Sequence, residues 1–260
     1  MDTEKINASG LHTENVAGFN IIYLDSVTST NDYLKDLAEK KYPGGTVVCA
    51  EQQTHGRGRN GRKWHDPAGK GLTFSILLRP QITVQQALIY SYLPAIVLAR
   101  FLRDEYQAPA WVKWPNYIYI EGKKLAGILC ETASYAKGIK YLVVGYGINI
   151  CQETADLGDL QNTAISLSII QKKHFDKRIF LCKFLLRFAE KIHDFPARWE
   201  TEIAGDWNSL CYHYNSRVTV FTRNRQIDGI FRGISETGAA IIETDDETVK
   251  LFNIDEFSLR

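Results

Sequence analysis

The chain has 260 residues, is 45% hydrophobic and carries a formal net charge of +1. That length suits one sizeable core plus a small extra domain, and the near-neutral balance excludes a global electrostatic case for nucleic acid or membrane. Five dispersed cysteines lack metal-ligand spacing, the six histidines form no zinc pattern, and the polar start has no apolar signal core. With no run of about 18 apolar residues either, these features predict a cytoplasmic protein with reduced thiols.

Residues 1–18 are polar and read as a loose tail. Phe19 to Leu24 reads as a strand. Ser29-Thr30-Asn31 supplies helix N-cap residues, with Asp32 in the first turn. Tyr33, Leu34, Leu37 and Ala38 make a helical apolar stripe, which Pro43-Gly44-Gly45 ends. Thr46 to Ala50 and Leu72 to Leu78 read as buried strands. Thr83 to about Tyr106 has helical apolar spacing, and Pro94 is expected to kink it. Trp111 to Lys113 and Tyr117 to Glu121 read as short strands, and Leu125 to Thr132 and Lys140 to Ile150 as longer ones. Strands at this spacing predict an antiparallel hairpin stack. Helices are expected over 163–171 and 176–200. From about Gly205 the pattern changes. Arg217 to Thr222, Gln226 to Gly233, Gly238 to Thr244 and Thr248 to Phe252 alternate apolar and polar residues, as in a small β-barrel. The expected units are the tail (1–18), a main domain (19–204) and a small all-β domain (205–260).

The chemistry concentrates in Glu51 to Trp64, where Gly56, Gly58 and Gly61 alternate with Arg57, Arg59, Arg62 and Lys63. Glycines let backbone N–H groups approach an anion, and arginine binds phosphate bidentately. Trp64 adds a flat face for a purine; the other reading is a core tryptophan. A dinucleotide fingerprint is rejected, because Asp66-Pro67-Ala68-Gly69 breaks any helix and no acid stands between Asp66 and Asp104. The P-loop fails too, since Arg62-Lys63 follows the last glycine. A solvated basic loop and an Arg-Gly nucleic-acid segment remain as alternatives on these residues alone. Three glycines among like charges also predict a loop that orders only around an anion.

Further blocks follow in order: Lys113-Trp114-Pro115-Asn116, then Lys124-Leu125-Ala126-Gly127-Ile128-Leu129, then Gly145-Tyr146-Gly147-Ile148-Asn149, with Ser29-Thr30-Asn31 upstream. Together with the glycine loop, this series resembles a biotin–protein ligase from about Asn20 to the C-terminus. The resemblance implies an α+β fold: a mixed, largely antiparallel sheet with flanking helices, like a class II synthetase core, plus a small C-terminal SH3-like β-barrel. It implies an ATP-dependent ligase that makes biotinyl-5′-AMP and passes biotin to a lysine of a biotin carboxyl carrier protein, with Mg2+ accompanying ATP. The short tail leaves no room for the N-terminal helix-turn-helix of some members, so DNA binding is not expected. A homodimer is compatible with the resemblance.

The resemblance also implies residue roles. Lys124 would lie between the biotin carboxylate and the α-phosphate; on its own it also reads as a surface lysine. Arg57 and Arg59 would contact the same two anions, with Gly56 and Gly58 giving close backbone approach. Arg62 would join them at the adenylate. Ser29, Thr30 and Asn31 would sit at the biotin head, although Ser29 and Thr30 also read as helix caps. Gln53 and Thr54 are candidate biotin contacts, and Gly127 would leave the ligand space. Trp64 would stack on adenine, and Asn116 and Asn149 would bond phosphate, ribose or a metal-bound water. The family block usually reads Lys-Trp-Pro-Asn-Asp, but here Tyr117 stands in place of the Asp. That leaves the metal ligands unassigned, with Glu131 a candidate to compensate. It also keeps two alternatives: a catalytically impaired biotin or biotinyl-AMP binder, and a related lipoate-attaching ligase.

Overall fold

The computed structural model describes residues 5–6, 12–67, 69–83, 86–87, 90–136, 138–192, 204–222, 226–235, 237–251 and 256–259. Its main layer is a nine-stranded sheet in the order β1-β2-β3-β4-β5-β9-β8-β7-β6. The strands are β1 (Lys5–Ile6), β2 (His12–Val16), β3 (Phe19–Val27), β4 (Thr46–Gln53), β5 (Gly71–Leu78), β6 (Trp111–Lys113), β7 (Tyr117–Ile120), β8 (Lys123–Tyr135) and β9 (Gly138–Asn149). Helix α1 (Thr30–Glu39) carries the chain from β3 back to β4, which therefore pair in parallel. The neighbouring pairs β4–β5, β5–β9, β9–β8, β8–β7 and β7–β6 are antiparallel.

Period two along β5 sorts the two faces. Phe74 and Ile76 enter the larger core with α2 (Leu93–Tyr106) and α5 (Lys177–Ile192). There Phe74 stacks on Tyr146 at 4.6 Å, and Phe184 meets both rings edge-on at 5.8 and 5.1 Å. Each fully buried side chain of this size contributes roughly 1.5–3 kcal/mol of transfer free energy, so this side holds the sheet. Leu77 enters the smaller core beneath α1 with Leu34, Leu37 and Val48. Thr73 and Ser75 share that face, just beyond the N-terminus of α1, and there the polar site forms.

Several sequence expectations change. The polar start is not a loose tail from His12 on. Ala17 and Gly18, both at positive φ, turn β2 back onto β3, and Tyr23 Oη donates to Glu14 Oε2 at 2.9 Å. Pro94 sits in the first turn of α2, where its missing N–H costs nothing, and of the helix expected from Thr83, residues 84–85 and 88–89 lie outside the described residues. The helix expected over 163–171 shortens to α4 (Leu167–Gln171), capped by Ser166, because Ala164 bridges to Lys124 instead. A short helix, α3 (Thr154–Leu157), precedes it. Of the helix expected over 176–200, residues 193–200 lie outside the described residues.

The C-terminal strands are β10 (Arg217–Phe221), β11 (Gln226–Ile234), β12 (Ala240–Glu243), β13 (Thr248–Leu251) and β14 (Glu256–Leu259). They form a five-stranded antiparallel ladder, β13-β12-β11-β10-β14. Among the described residues the ladder is open: β13 and β14 are its edges, so the expected barrel does not close. The unforeseen helix α6 (Ala204–Ser209) docks this ladder on the main layer. Its Trp207 is fully buried, 5.7 Å from Tyr92 and 6.2 Å from Phe231.

Candidate active site

The site is assembled on the sheet face that α1 leaves uncovered. Across the strands, Thr73, Gly147, Gly127 and Tyr117 lie in one register row. Ser75, Gly145 and Leu129 form the next. Glycine is required in both rows by close approach. A Cβ on Gly145 would stand 2.1 Å from Asn31 Oδ1, and one on Gly147 only 2.4 Å from Trp64 Cε2. The indole thus lies flat on the strands. It leaves a cavity of about 140 Å³, smaller than ordinary small-molecule sites.

Ser29 Oγ accepts from Asp32 N at 3.4 Å and also lines the cavity, so capping and cavity roles coincide. Thr30 N donates to Gln53 Oε1 at 2.8 Å. Ser75 Oγ lies 2.6 Å from Asn31 Oδ1 and 2.7 Å from Thr30 Oγ1. A hydroxyl has one proton, and Asn31 Oδ1 can only accept, so Ser75 donates there and Thr30 turns its own proton to Gln53 or Ser75. Asn31 Nδ2 donates to Glu131 Oε2 at 2.7 Å and Leu129 O at 3.3 Å. Sequence reading missed Ser75. Its signal was two polar residues, Thr73 and Ser75, alternating within an otherwise apolar buried strand.

The glycine loop is a hairpin closed by its own backbone. Trp64 N bonds Gly56 O at 2.9 Å and Gly58 N bonds Arg62 O at 2.7 Å, around a 3-10 turn at Arg59–Gly61. Its cations do not simply repel. Arg57 Nη2 lies 2.5 Å from Asp32 Oδ1 and 3.6 Å from Glu131 Oε1, and Lys35 bridges the same two acids at 2.7 and 2.9 Å. Glu131 is thereby committed to Asn31, Lys35 and Arg57, and its expected compensation for Tyr117 finds no support.

Lys124 is aimed by a bulge. Tyr119 pairs with Lys124 but Ile118 pairs with Ala126, which leaves Leu125 extra. Leu125 and Ala126 both enter the core, so Lys124 and Gly127, three residues apart, both face the cavity. Its backbone is held on both sides: Lys124 N donates to Thr163 O at 2.8 Å, and Lys124 O accepts from Ile165 N at 3.0 Å. Burial, with Arg62 adding repulsion, lowers the ammonium to about 8.

Of the remaining candidates, Arg57, Gly58, Arg62, Trp64, Asn116 and Gly127 line the cavity. Asn116 Nδ2 donates to Ile128 O at 2.6 Å, while its buried Oδ1 has no partner among the described residues. Asn149 does not reach the cavity. Its amide donates to Ile165 O at 3.1 Å and Lys124 O at 3.4 Å, so it braces the lysine's backbone. Thr54 is exposed, with its hydroxyl 3.1 Å from His55 Nδ1. Arg59 lies in the 3-10 turn and Gly56 behind Gln53, both off the lining. The lining holds Arg57, Arg62, Lys63 and Lys124 but no Asp or Glu. No grouping of three or more His, Cys, Asp or Glu suited to a metal occurs among the described residues. The charge of the lining therefore suits anions.

The model of the Biotin/lipoate A/B protein ligase family matches residues 23–149, and that of the Biotin protein ligase C terminal domain matches 213–260. The bifunctional ligase/repressor BirA of Bacillus subtilis (strain 168) is 33% identical over 95% of this chain and 76% of its own length. The chain belongs to the biotin protein ligase family. The biotin–[acetyl-CoA-carboxylase] ligase of Paracoccus denitrificans is 30% identical over 76% of this chain and 84% of its own. The solved biotin protein ligase from Aquifex aeolicus, in complex with biotin and ATP, superposes with a TM-score of 0.76. It is 31% identical and covers 92% of this chain and 98% of its own. The Tyr117 ring centroid lies 4.1 Å from Lys124 Nζ. No helix among its described residues is long and apolar enough to cross a membrane.

Proposed function

We propose that the chain activates biotin with ATP and transfers it to a lysine of a biotin carboxyl carrier protein, as part of a biotin-dependent carboxylase. The observation that carries this reading is a cavity lined by Arg57, Arg62, Lys63 and Lys124 without a carboxylate. Two anions must meet in the first step. A biotin carboxylate oxygen bonds to the α-phosphorus of ATP, and the bond to the pyrophosphate oxygen breaks. Repulsion is the main obstacle, so fixed cations and positioning supply most of the catalysis. Lys124 stands between the anions, with Arg57, Arg62 and Lys63 around the phosphate and Gly58 giving it backbone approach. Arg59 neutralises the phosphate from the turn behind.

Ser29, Thr30 and Gln53 meet the ureido head, with Asn31 as a fixture that Ser75 and Glu131 hold. Thr54 and Gly56 act on this pocket only through the loop's shape. Gly127 leaves the ligand room, Trp64 stacks on adenine, and Asn116 Oδ1 accepts from a ribose hydroxyl. Magnesium enters on the triphosphate as part of the substrate. In the second step the neutral Nζ of the acceptor lysine attacks the acyl carbon, AMP leaves, and the nitrogen loses a proton. Residues 19–204 perform this chemistry, with 205–260 as the smaller C-terminal unit.

The test is mass spectrometry of a carrier domain incubated with the protein, biotin and MgATP. A gain of one biotin is expected. Biotin binding without pyrophosphate release would instead indicate a non-catalytic binder, and preference for lipoate would indicate the related ligase.

A further inference from the structure

Lys124 Nζ ends between two aromatic faces, 4.1 Å from the Tyr117 centroid and 4.9 Å from that of Trp64. Those faces are not equivalent. Trp64 belongs to the glycine loop and covers the floor that a ligand needs. Tyr117 belongs to β7, paired with Lys113 on one side and Gly127 on the other. The tyrosine is therefore fixed by the sheet ladder itself, the tryptophan only by its loop.

We propose that Tyr117 is the positioning residue for Lys124: its ring face holds the ammonium in the cavity without neutralising it. A carboxylate in contact with the ammonium would form an ion pair that arriving anions must break. A ring quadrupole attracts the cation and leaves its full charge for the substrate. The other charged groups facing the cavity are Arg57, Arg62 and Lys63, all cations, and the acids beside Arg57 are engaged with it and Lys35. No carboxylate on the lining is available to steady Lys124, and its two ring contacts are with Tyr117 and Trp64. On this view the tyrosine is a working alternative to the family's acid, and not a lesion.

The inference rests on the proposed reaction, so two readouts separate them. The first is pyrophosphate release against pH, with biotin and MgATP, for Tyr117→Phe, Tyr117→Leu and Tyr117→Asp. The Phe variant keeps the rate within about threefold and the same alkaline limb. The Leu variant loses on the order of tenfold, and its limb moves to lower pH. The Asp variant moves the limb to higher pH and raises the KM for biotin. The second readout is the titration of the Lys124 resonance in 15N-lysine-labelled protein without substrates. Its midpoint falls in the Leu variant and is unchanged in the Phe variant. Should Leu disturb β7, Tyr117→Met repeats both measurements. Leu and Phe variants with equal rates and midpoints would overturn the proposal. So would a Phe variant as impaired as Leu, which would assign the role to the hydroxyl. If the wild type itself releases no pyrophosphate, the reaction fails while the resonance still decides the role of the ring.

Discussion

Lys124 is a cation placed where water is scarce and acids are absent, and two predictions belong to it. Lys124→Ala should reduce pyrophosphate release by on the order of 10²–10³, the cost of one preorganised charge or donor. Circular dichroism should show an intact fold, because a buried ammonium opposes folding. The pH dependence follows from burial, which lowers the group to about 8 from 10.5. The ammonium is present below about 8, so kcat/KM should fall as pH rises through that region. Bound anions favour the charged form, so the limb in kcat should lie at higher pH than the limb in kcat/KM. For stability the sign is opposite: the burial cost acts below about 8 and is relieved as pH rises toward the unfolded value. A pH series of both kinetic constants checks the first two signs, and melting temperatures check the third.

At the scale of elements, the glycine loop and the start of β5 are linked through Asp66. Its Oδ1 accepts from Gly71 N at 3.1 Å, and its buried Oδ2 has no partner among the described residues. Burial raises this carboxyl from 3.8 to about 6, against the pull of the Gly71 hydrogen bond, Lys177 and His65. The neutral form is therefore favoured by folding. Stability held below about 4 is lost as pH rises to about 6, and Asp66→Asn should remove that loss. The variant should be more stable than wild type at pH 7 by on the order of 1–3 kcal/mol and should show little gain at pH 4. Denaturant titration at the two pH values is the measurement; equal gains at both would refute the account. The loop's other end depends on Gly147. Gly147→Ala sets a Cβ against the indole and should lift Trp64 from the sheet. A blue or red shift in Trp64 emission, absent when Trp64→Phe is added, would register it. Affinity for biotin should fall tenfold or more, because the same Cβ enters the ligand's floor.

For the whole molecule, the C-terminal ladder is joined to the catalytic sheet through a chain of buried aromatic contacts. Trp114 Nε1 donates to Tyr92 Oη at 3.1 Å, Tyr92 Oη donates to Gly238 O at 2.5 Å, and Trp207 packs on Tyr92 and Phe231. Asn208 Oδ1 also accepts from Ile234 N at 3.0 Å. Trp207→Ala should cost about 3–5 kcal/mol, as for a large core truncation. Hydrogen exchange should then rise first in β10 to β13, ahead of β5 and β9. Uniform loss of protection would mean that the two layers unfold as one unit.

Sequence by itself determined the parts whose signal is local. Ser29 caps α1 because a hydroxyl beside a free N–H needs no distant partner, and the burial of β4, β5 and β9 follows from their mostly apolar runs. The cationic loop and the blocks around Asn116, Lys124 and Gly147 identified the family. Tertiary structure decided whatever depended on distant partners. Lys124 and Gly127 share a face only because β7 pairs with β8 across a bulge, which no alternation along one strand reveals. Ser75 joined the lining's hydrogen-bond network because α1 lands above it, and the Asn149 amide met two backbone carbonyls off the cavity. Pairing across the sheet, not propensity along it, set β2 on β3 and held the C-terminal ladder open. Hydrogen bonds and apolar contacts between distant segments are properties of the packed chain, so their outcome appears only once the layers have met.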